Sequence, residues 1–120
     1  MKIPRCYDSH LHWLYTGRIN SELNLKSLVA PNAIQKIKDN QNIQNYFRGN
    51  WLIGFGWDHF QWPEKKLPSK EILDPIFSHN PVAFTRADGH CIWVNSQALS
   101  EIYQRYSTLD LPGIDKNTSG

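Results

Sequence analysis

The stretch Trp51-Leu52-Ile53-Gly54-Phe55-Gly56-Trp57 decides how the rest of this 120-residue chain is read. Seven uncharged residues stand between a Gly49-Asn50 turn signal and Asp58, and they read as a buried strand. A glycine inside a strand ordinarily weakens it, so Gly54 and Gly56 suggest a close backbone approach or a bulge. On the N-terminal side, Arg5 to Trp13 alternates. Asp8, His10 and His12 fall on one side of a strand and Tyr7, Ser9, Leu11 and Trp13 on the other, with Thr16-Gly17 as its end. After a polar stretch, a helical region is expected from about Ser27 to Phe47, with Pro31 in its first turn. Ile34, Ile37, Ile43 and Phe47 supply its apolar positions, and Gly49-Asn50 stops it.

On the C-terminal side, Asp58 to Pro63 makes an aromatic-rich loop. Ser69 caps a short helix that runs to about Phe77. Pro81 opens a strand, Val82 to Ala87. Asp88-Gly89 joins it to a second, His90 to Val94, as a hairpin with the type I′ turn that suits strand twist. Asn95-Ser96 caps a last helix, Gln97 to Tyr106, and Leu109 to Gly120 is turn chemistry. The expected class is α/β in the mixed, α+β sense: a small mixed sheet with a β-hairpin and about three helices.

Composition limits what such a chain can be. Hydrophobic residues make up 40% and charged residues 20%, so the chain is apolar enough to fold and is no disordered tail. Five Trp, five Tyr and five Phe supply large buried areas to a small core. A complete (β/α)₈ barrel needs about 250 residues and is excluded by length. Thirteen basic against eleven acidic residues give a net charge of +2, and the densest basic stretch is Lys65-Lys66 with Lys70. No run tracks a phosphate backbone, so no nucleic-acid partner is expected. Apolar runs fall far short of the roughly 20 residues that span a bilayer, so no membrane association is expected either. Cys6 and Cys91 form no C-x-x-C pattern and read as free thiols. Without a secretory h-region, the expected compartment is the cytoplasm.

Three constellations could carry chemistry. In Asp8-Ser9-His10-Leu11-His12, two His one residue apart on a strand point to one face, where their imidazoles could share a metal ion. Asp8 lies on that face and could orient a ligand His. The pattern equally fits a surface strand with two solvated His. In Arg86-Ala87-Asp88-Gly89-His90, Asp88 and His90 sit at a hairpin tip and could reach a substrate, although Asp-Gly also serves simply as the turn. In Gly54 to His59, G-x-G without a third Gly or a following helix is no phosphate loop. Trp57, Phe60 and Trp62 could line a ligand pocket or be core. Cys91 and His90 alternate on a strand and face opposite sides, which argues against a Cys-His dyad.

Taken in order, three blocks resemble one family. Pro4-Arg5-Cys6-Tyr7-Asp8-Ser9-His10-Leu11-His12 resembles the first barrel strand of the amidohydrolase superfamily, P-x-x-x-D-x-H-x-H. Trp51 to Asp58 with Trp62-Pro63 is similar to the G-x-G-W-D…W segment of amidohydrolase family 3. Asn80-Pro81-Val82, Asp88-Gly89-His90, Trp93-Val94-Asn95-Ser96 and Ala98-Leu99 look like the same branch's P-V…D-G-H-x-x-W-V-N-S-x-A-L block. The resemblance covers roughly residues 4 to 99. It departs from the usual P-G-x-x-D form at Arg5, where Gly is the rule.

The resemblance implies a fragment of a metal-dependent hydrolase of the TIM-barrel kind. Residues 1–17 would be the first barrel strand, 18–108 an inserted small α/β segment, and 109–120 a tail leading toward the barrel. His10 and His12 match two metal ligands, with Asp8 as their support. Trp57, Asp58, Asp88 and His90 become candidates for the substrate pocket's wall or its backing, with Asp88 and His90 as the candidates for catalysis. The expected cofactor is a divalent metal, usually zinc, which polarises a carbonyl and lowers the pKa of a water. The expected partner is a small-molecule substrate with a non-peptide C–N bond, an amide or cyclic amide. Catalytic zinc takes three protein ligands and an open position, so two imidazoles leave the isolated chain inactive. An unpaired strand edge invites a homodimer. A metal-free aromatic-lined binding module and a purely structural domain are the alternatives.

Overall fold

A computed structural model describes residues 13–40 and 42–106. In chain order, helix α1 (Trp13–Asn20) leads to the two-residue strand β1 (Leu23–Asn24). A 3-10 turn at Pro31–Ala33 runs into α2 (Ile34–Asn40), and another at Ile43–Tyr46 precedes β2 (Phe47–Arg48) and β3 (Trp51–Trp57). A third, His59–Gln61, is followed by α3 (Lys70–Leu73), β4 (Val82–Arg86), β5 (Ile92–Val94) and α4 (Ser96–Arg105). The result is a small mixed sheet with a hairpin and helices around it. Among the described residues, no helix is long and apolar enough to cross a membrane.

Strand β3 is the centre of the sheet. β4 runs parallel to it along one edge from Leu52↔Val82 to Trp57↔Arg86. Along the other, β1 pairs in parallel (Leu23↔Gly54) and β2 antiparallel (Phe47↔Leu52). β5 closes the order, antiparallel to β4 (Phe84↔Trp93). Register partners share a face. Leu23, Leu52, Gly54, Val82, Phe84 and Trp93 therefore point one way, and all are buried. Ile53, Phe55, Ala83, Thr85, Ile92 and Val94 point the other way.

The two glycines of β3 do different things. A Cβ on Gly54 would stand 2.7 Å from Phe84 Cδ1, so the missing side chain is space taken by a core ring. Gly56 has φ +110 and lies where the ladder with β4 slips between Phe55 and Trp57. In a regular strand Trp57 would face away from Leu52 and Gly54. The bulge moves it opposite Arg86 and turns its indole into the core, where it is fully buried. Trp57, Trp62 and Trp93 pack there with centroids 5.8–6.3 Å apart. Each buried indole N–H finds a carbonyl: Phe84 at 2.6 Å, Leu28 at 2.7 Å and Ser69 at 2.9 Å. Ile34 from α2 and Leu73 from α3 complete this layer.

Several local expectations change. Trp13 to Asn20 is helical, so Trp13 ends no strand and Gly17 does not stop the segment. Gly17 is tolerated because glycine in a helix costs only about 1 kcal/mol, which tertiary context overrides. The helix straddles the 17/18 boundary expected for the inserted segment. The region from Ser27 to Phe47 is a single short α-helix between two 3-10 turns, and Phe47 opens a strand. Gly49, with φ +63, makes the tight turn between β2 and β3. Among the described residues there are four α-helices, in keeping with the small mixed fold expected. The β4–β5 connection is not type I′, because that turn needs positive φ at both central residues and only Gly89 (φ +77) has it. Ser69 does precede α3, but its side chain makes no cap bond to the helix backbone. Asn95 caps α4 as expected, accepting from Ala98 N at 3.0 Å. The same buried amide also accepts from Val82 N and donates to Phe77 O and Asn80 O, fixing α4 to the start of β4.

Candidate functional site

Because β3 and β4 run parallel, their carboxyl ends open on the same edge, the place where ligands bind in α/β sheets. Trp57 O accepts Ala87 N at 2.9 Å there, so the ladder holds to its end. Past β3, Asp58 caps the 3-10 turn, its Oδ1 accepting Phe60 N at 3.0 Å. Past β4, Arg86 donates to Asp88 from Nε at 2.9 Å and from Nη2 at 2.5 Å, a bidentate clamp. Asp88 Oδ1 also accepts His90 N at 3.0 Å. Arg86 N bonds Cys91 O and Gly89 N bonds Arg86 O, so the hairpin tip is pinned from both sides.

A cleft of about 230 Å³ lies between these two ends, lined by Asp58, Phe60, Arg86, Ala87 and Asp88. The Arg86 guanidinium, and then the His90 N–H, hold the Asp88 carboxyl far below the usual carboxylate range, and Asp88 in turn raises the pKa of Arg86. Asp88 is thus an anion committed to Arg86, whereas Asp58 is the carboxylate nearest the open cleft without a cation clamped to it. Such a site can hold a polar group by hydrogen bonds from fixed charges. Among the described residues, no three His, Cys, Asp or Glu side chains converge to hold a metal ion.

The structure brings Asp58 and Asp88 together, 30 residues apart in sequence, at one cleft. His90 stands on the exposed turn beside it, joined through its backbone to Asp88. Trp57 is core, with its N–H spent on Phe84 O. Trp62 is core as well, and of the three aromatic candidates only Phe60 is exposed, at 63%. Arg86 joins the site through its two bonds to Asp88. The signal that finds it is R-x-D across a hairpin turn, where i and i+2 can meet. His59 sits behind Phe60 with its ring centroid 4.0 Å from that ring, and its buried Nδ1 has no hydrogen-bond partner among the described residues. Asp8, His10 and His12 lie outside the described residues.

The model of a protein family described as the amidohydrolase family matches residues 3–114. The chain belongs to the amidohydrolase family. That match includes both the H-x-H block and the two strands that frame the cleft. Among its relatives, Protein LONG AFTER FAR-RED 3 of Arabidopsis thaliana is 35% identical over 81% of this chain and 16% of its own length. YtcJ of Bacillus subtilis (strain 168), whose name assigns it an expected amidohydrolase activity, is 33% identical over 98% of this chain and 22% of its own length. This amidohydrolase chain thus spans about a fifth of the length of its relatives. Its fold matches crystal structures of uncharacterized metal-dependent hydrolases from Pyrococcus furiosus and Pyrococcus horikoshii OT3. The TM-scores are 0.59 and 0.57, at 24% and 22% identity, over 94% and 93% of this chain and 21% and 20% of theirs. The small mixed fold is accordingly one that occurs within larger hydrolases.

Proposed function

We propose that this chain supplies the first metal-binding strand and the inserted α/β segment of a metal-dependent hydrolase acting on carbon–nitrogen bonds other than peptide bonds. The observation that carries the reading is the family match across residues 3–114, which takes in the H-x-H block and the D-G-H-x-x-W-V-N-S block together. His10 and His12 are the residues that would hold the metal, with Asp8 orienting one imidazole. Zinc fits their donor chemistry and, when bound, would supply Lewis-acid polarisation of an amide carbonyl and a more acidic water. The chain's own contribution at the cleft is positioning. Asp58 and the clamped Asp88 present fixed acceptors to the N–H groups of an amide, with His90 beside them on the turn. The substrate is a small molecule.

By itself the 120-residue chain is inactive in this reading, because two imidazoles do not complete a catalytic zinc site. The test is zinc content and amidase turnover of the isolated chain. The expected result is weak zinc retention and no turnover. Turnover that chelators abolish would overturn inactivity. The metal role is tested by a zinc titration of the melting temperature, since a ligand that binds only the folded state must raise it. A rise is expected in the parent chain and not in a His10→Ala/His12→Ala variant. Equal behaviour of the two sinks the assignment.

A further inference from the structure

Among the described residues, His59 Nδ1 is the only buried side-chain nitrogen or oxygen without a hydrogen-bond partner. His59 is 6% exposed, and its imidazole has two aromatic neighbours, Trp57 at 6.2 Å and Phe60 at 4.0 Å between ring centroids. Trp57 does not serve it, since the indole N–H goes to Phe84 O. A buried polar atom left unpaired costs about 1–3 kcal/mol, so folded proteins keep few of them.

Phe60 touches both the imidazole and the cleft. Its ring lies against His59 and also lines the cleft with Asp58, Arg86, Ala87 and Asp88. The backbone beneath it is held: Phe60 N donates to Asp58 Oδ1, Gln61 N to Asp58 O and Trp62 N to His59 O. The exposed side chain is therefore the part that can move, by a change of rotamer that breaks none of these bonds. The polar groups of the cleft act as acceptors. Arg86 spends Nε and Nη2 on Asp88. Asp58 accepts Phe60 N and, at 3.5 Å, Gln61 Nε2, while an ionised carboxylate has about four acceptor sites. A neutral imidazole adds one accepting nitrogen.

Acceptors beside an aromatic ring select a flat molecule that brings N–H donors. We propose that His59 is a specificity-determining residue of this cleft. The Phe60 ring turns off the imidazole onto the ligand, a small planar amide or ureide. Nδ1 then accepts one N–H of that ligand, and Asp58 accepts another. The inference rests on the reading of the cleft as the place where amide N–H groups are held. Its test is metal-free binding, whereas the metal is tested by zinc at His10 and His12, so the two fail separately.

The experiment is an NMR titration of the full chain, without metal, with ethyleneurea. Its N,N′-dimethyl derivative is the control, the same ring without N–H groups. Ethyleneurea is expected to bind at least about tenfold more tightly, the worth of one charge-assisted hydrogen bond. The imidazole nitrogen resonances should show His59 Nδ1 as an unbonded acceptor in the free chain, moving upfield with ethyleneurea and not with the control. His59→Phe keeps a flat ring and removes nitrogens that bond nothing among the described residues. It should therefore melt no lower than the parent and give up about fivefold of the preference, the worth of one neutral hydrogen bond. A purely structural His59 would leave the preference whole, and that outcome overturns the proposal. So does equal affinity for the two compounds, or no binding of either. An Nδ1 resonance that is already hydrogen-bonded in the free chain, or that stays still as ethyleneurea binds, overturns it too. That last reading needs only the parent chain and decides the matter even where His59→Phe fails to fold.

Discussion

The two faces of the sheet are made from the same strands and are finished differently. On one, Leu52, Gly54, Val82, Phe84 and Trp93 alternate into a core sealed by α2, α3 and the tryptophans. On the other, Ile53, Ala83, Thr85 and Val94 are only half-buried and Ile92 is 57% exposed, although most of these residues are as apolar as their neighbours. Composition does not separate the faces; what packs against them does. Parallel strands ordinarily have both faces covered. Stability should therefore reside on the first face.

The sharpest way to break this contrast is to truncate one residue on each face. Phe84→Ala should cost about 3–5 kcal/mol, as a large core ring leaves a cavity. Ile92→Ala should stay within about 0.5 kcal/mol, as exposed positions do. Denaturant unfolding of the two variants reads both, and equal losses would erase the distinction. Next in size, Gly56→Ala puts a side chain at φ +110 against the Lys26 stem. It should cost about 1–3 kcal/mol by opposing the bulge that turns Trp57 inward. Trp57 fluorescence moving to the red would show the indole leaving the core, and an unchanged spectrum would speak against the bulge's role.

A smaller and opposite effect is expected at Gly17, in α1, where φ is not positive and nothing stands within 4 Å of an added Cβ. Gly17→Ala should raise stability by about 0.5–1 kcal/mol, and a loss would mean the segment is not the helix described. The most local change is at the hairpin tip. Asp88 titrates lower in the folded hairpin than its unfolded value of about 3.9. Its clamp is thus fully present above about pH 4 and is lost as pH falls further, through the lower folded value. Protection of the Gly89 and His90 amides, taken relative to their intrinsic exchange at each pH, should hold steady from neutral pH down to that point and then fall. Asp88→Asn should be less protected than the parent at neutral pH, with the difference shrinking as the pH falls.

Much of the site was legible because it depends on local chemistry. Asp58 caps the turn after β3, Asp88 holds the turn after β4, and both were visible as polar residues just past apolar runs. Arg86 was harder, since its value lies in two bonds to a residue two positions on, which exist only once the hairpin closes. The burial of Glu22, just before β1, has no signal in the sequence at all. A lone Glu between two helical or extended segments is ordinary. Its burial comes from β1 docking on β3, a pairing of residues 31 apart.

The sequence by itself determined the bounds of β3, the cap of α4, the hairpin and the family, because each rests on contiguous residues or on motifs in order. Tertiary structure alone decided that Trp57 faces the core, that Asp58 and Arg86 share a cleft, and that one face of the sheet is sealed and the other half-open. Those outcomes depend on a one-residue slip at Gly56 and on which elements pack against which. Alternation with period two fixes which residues share a face, but not which face is covered.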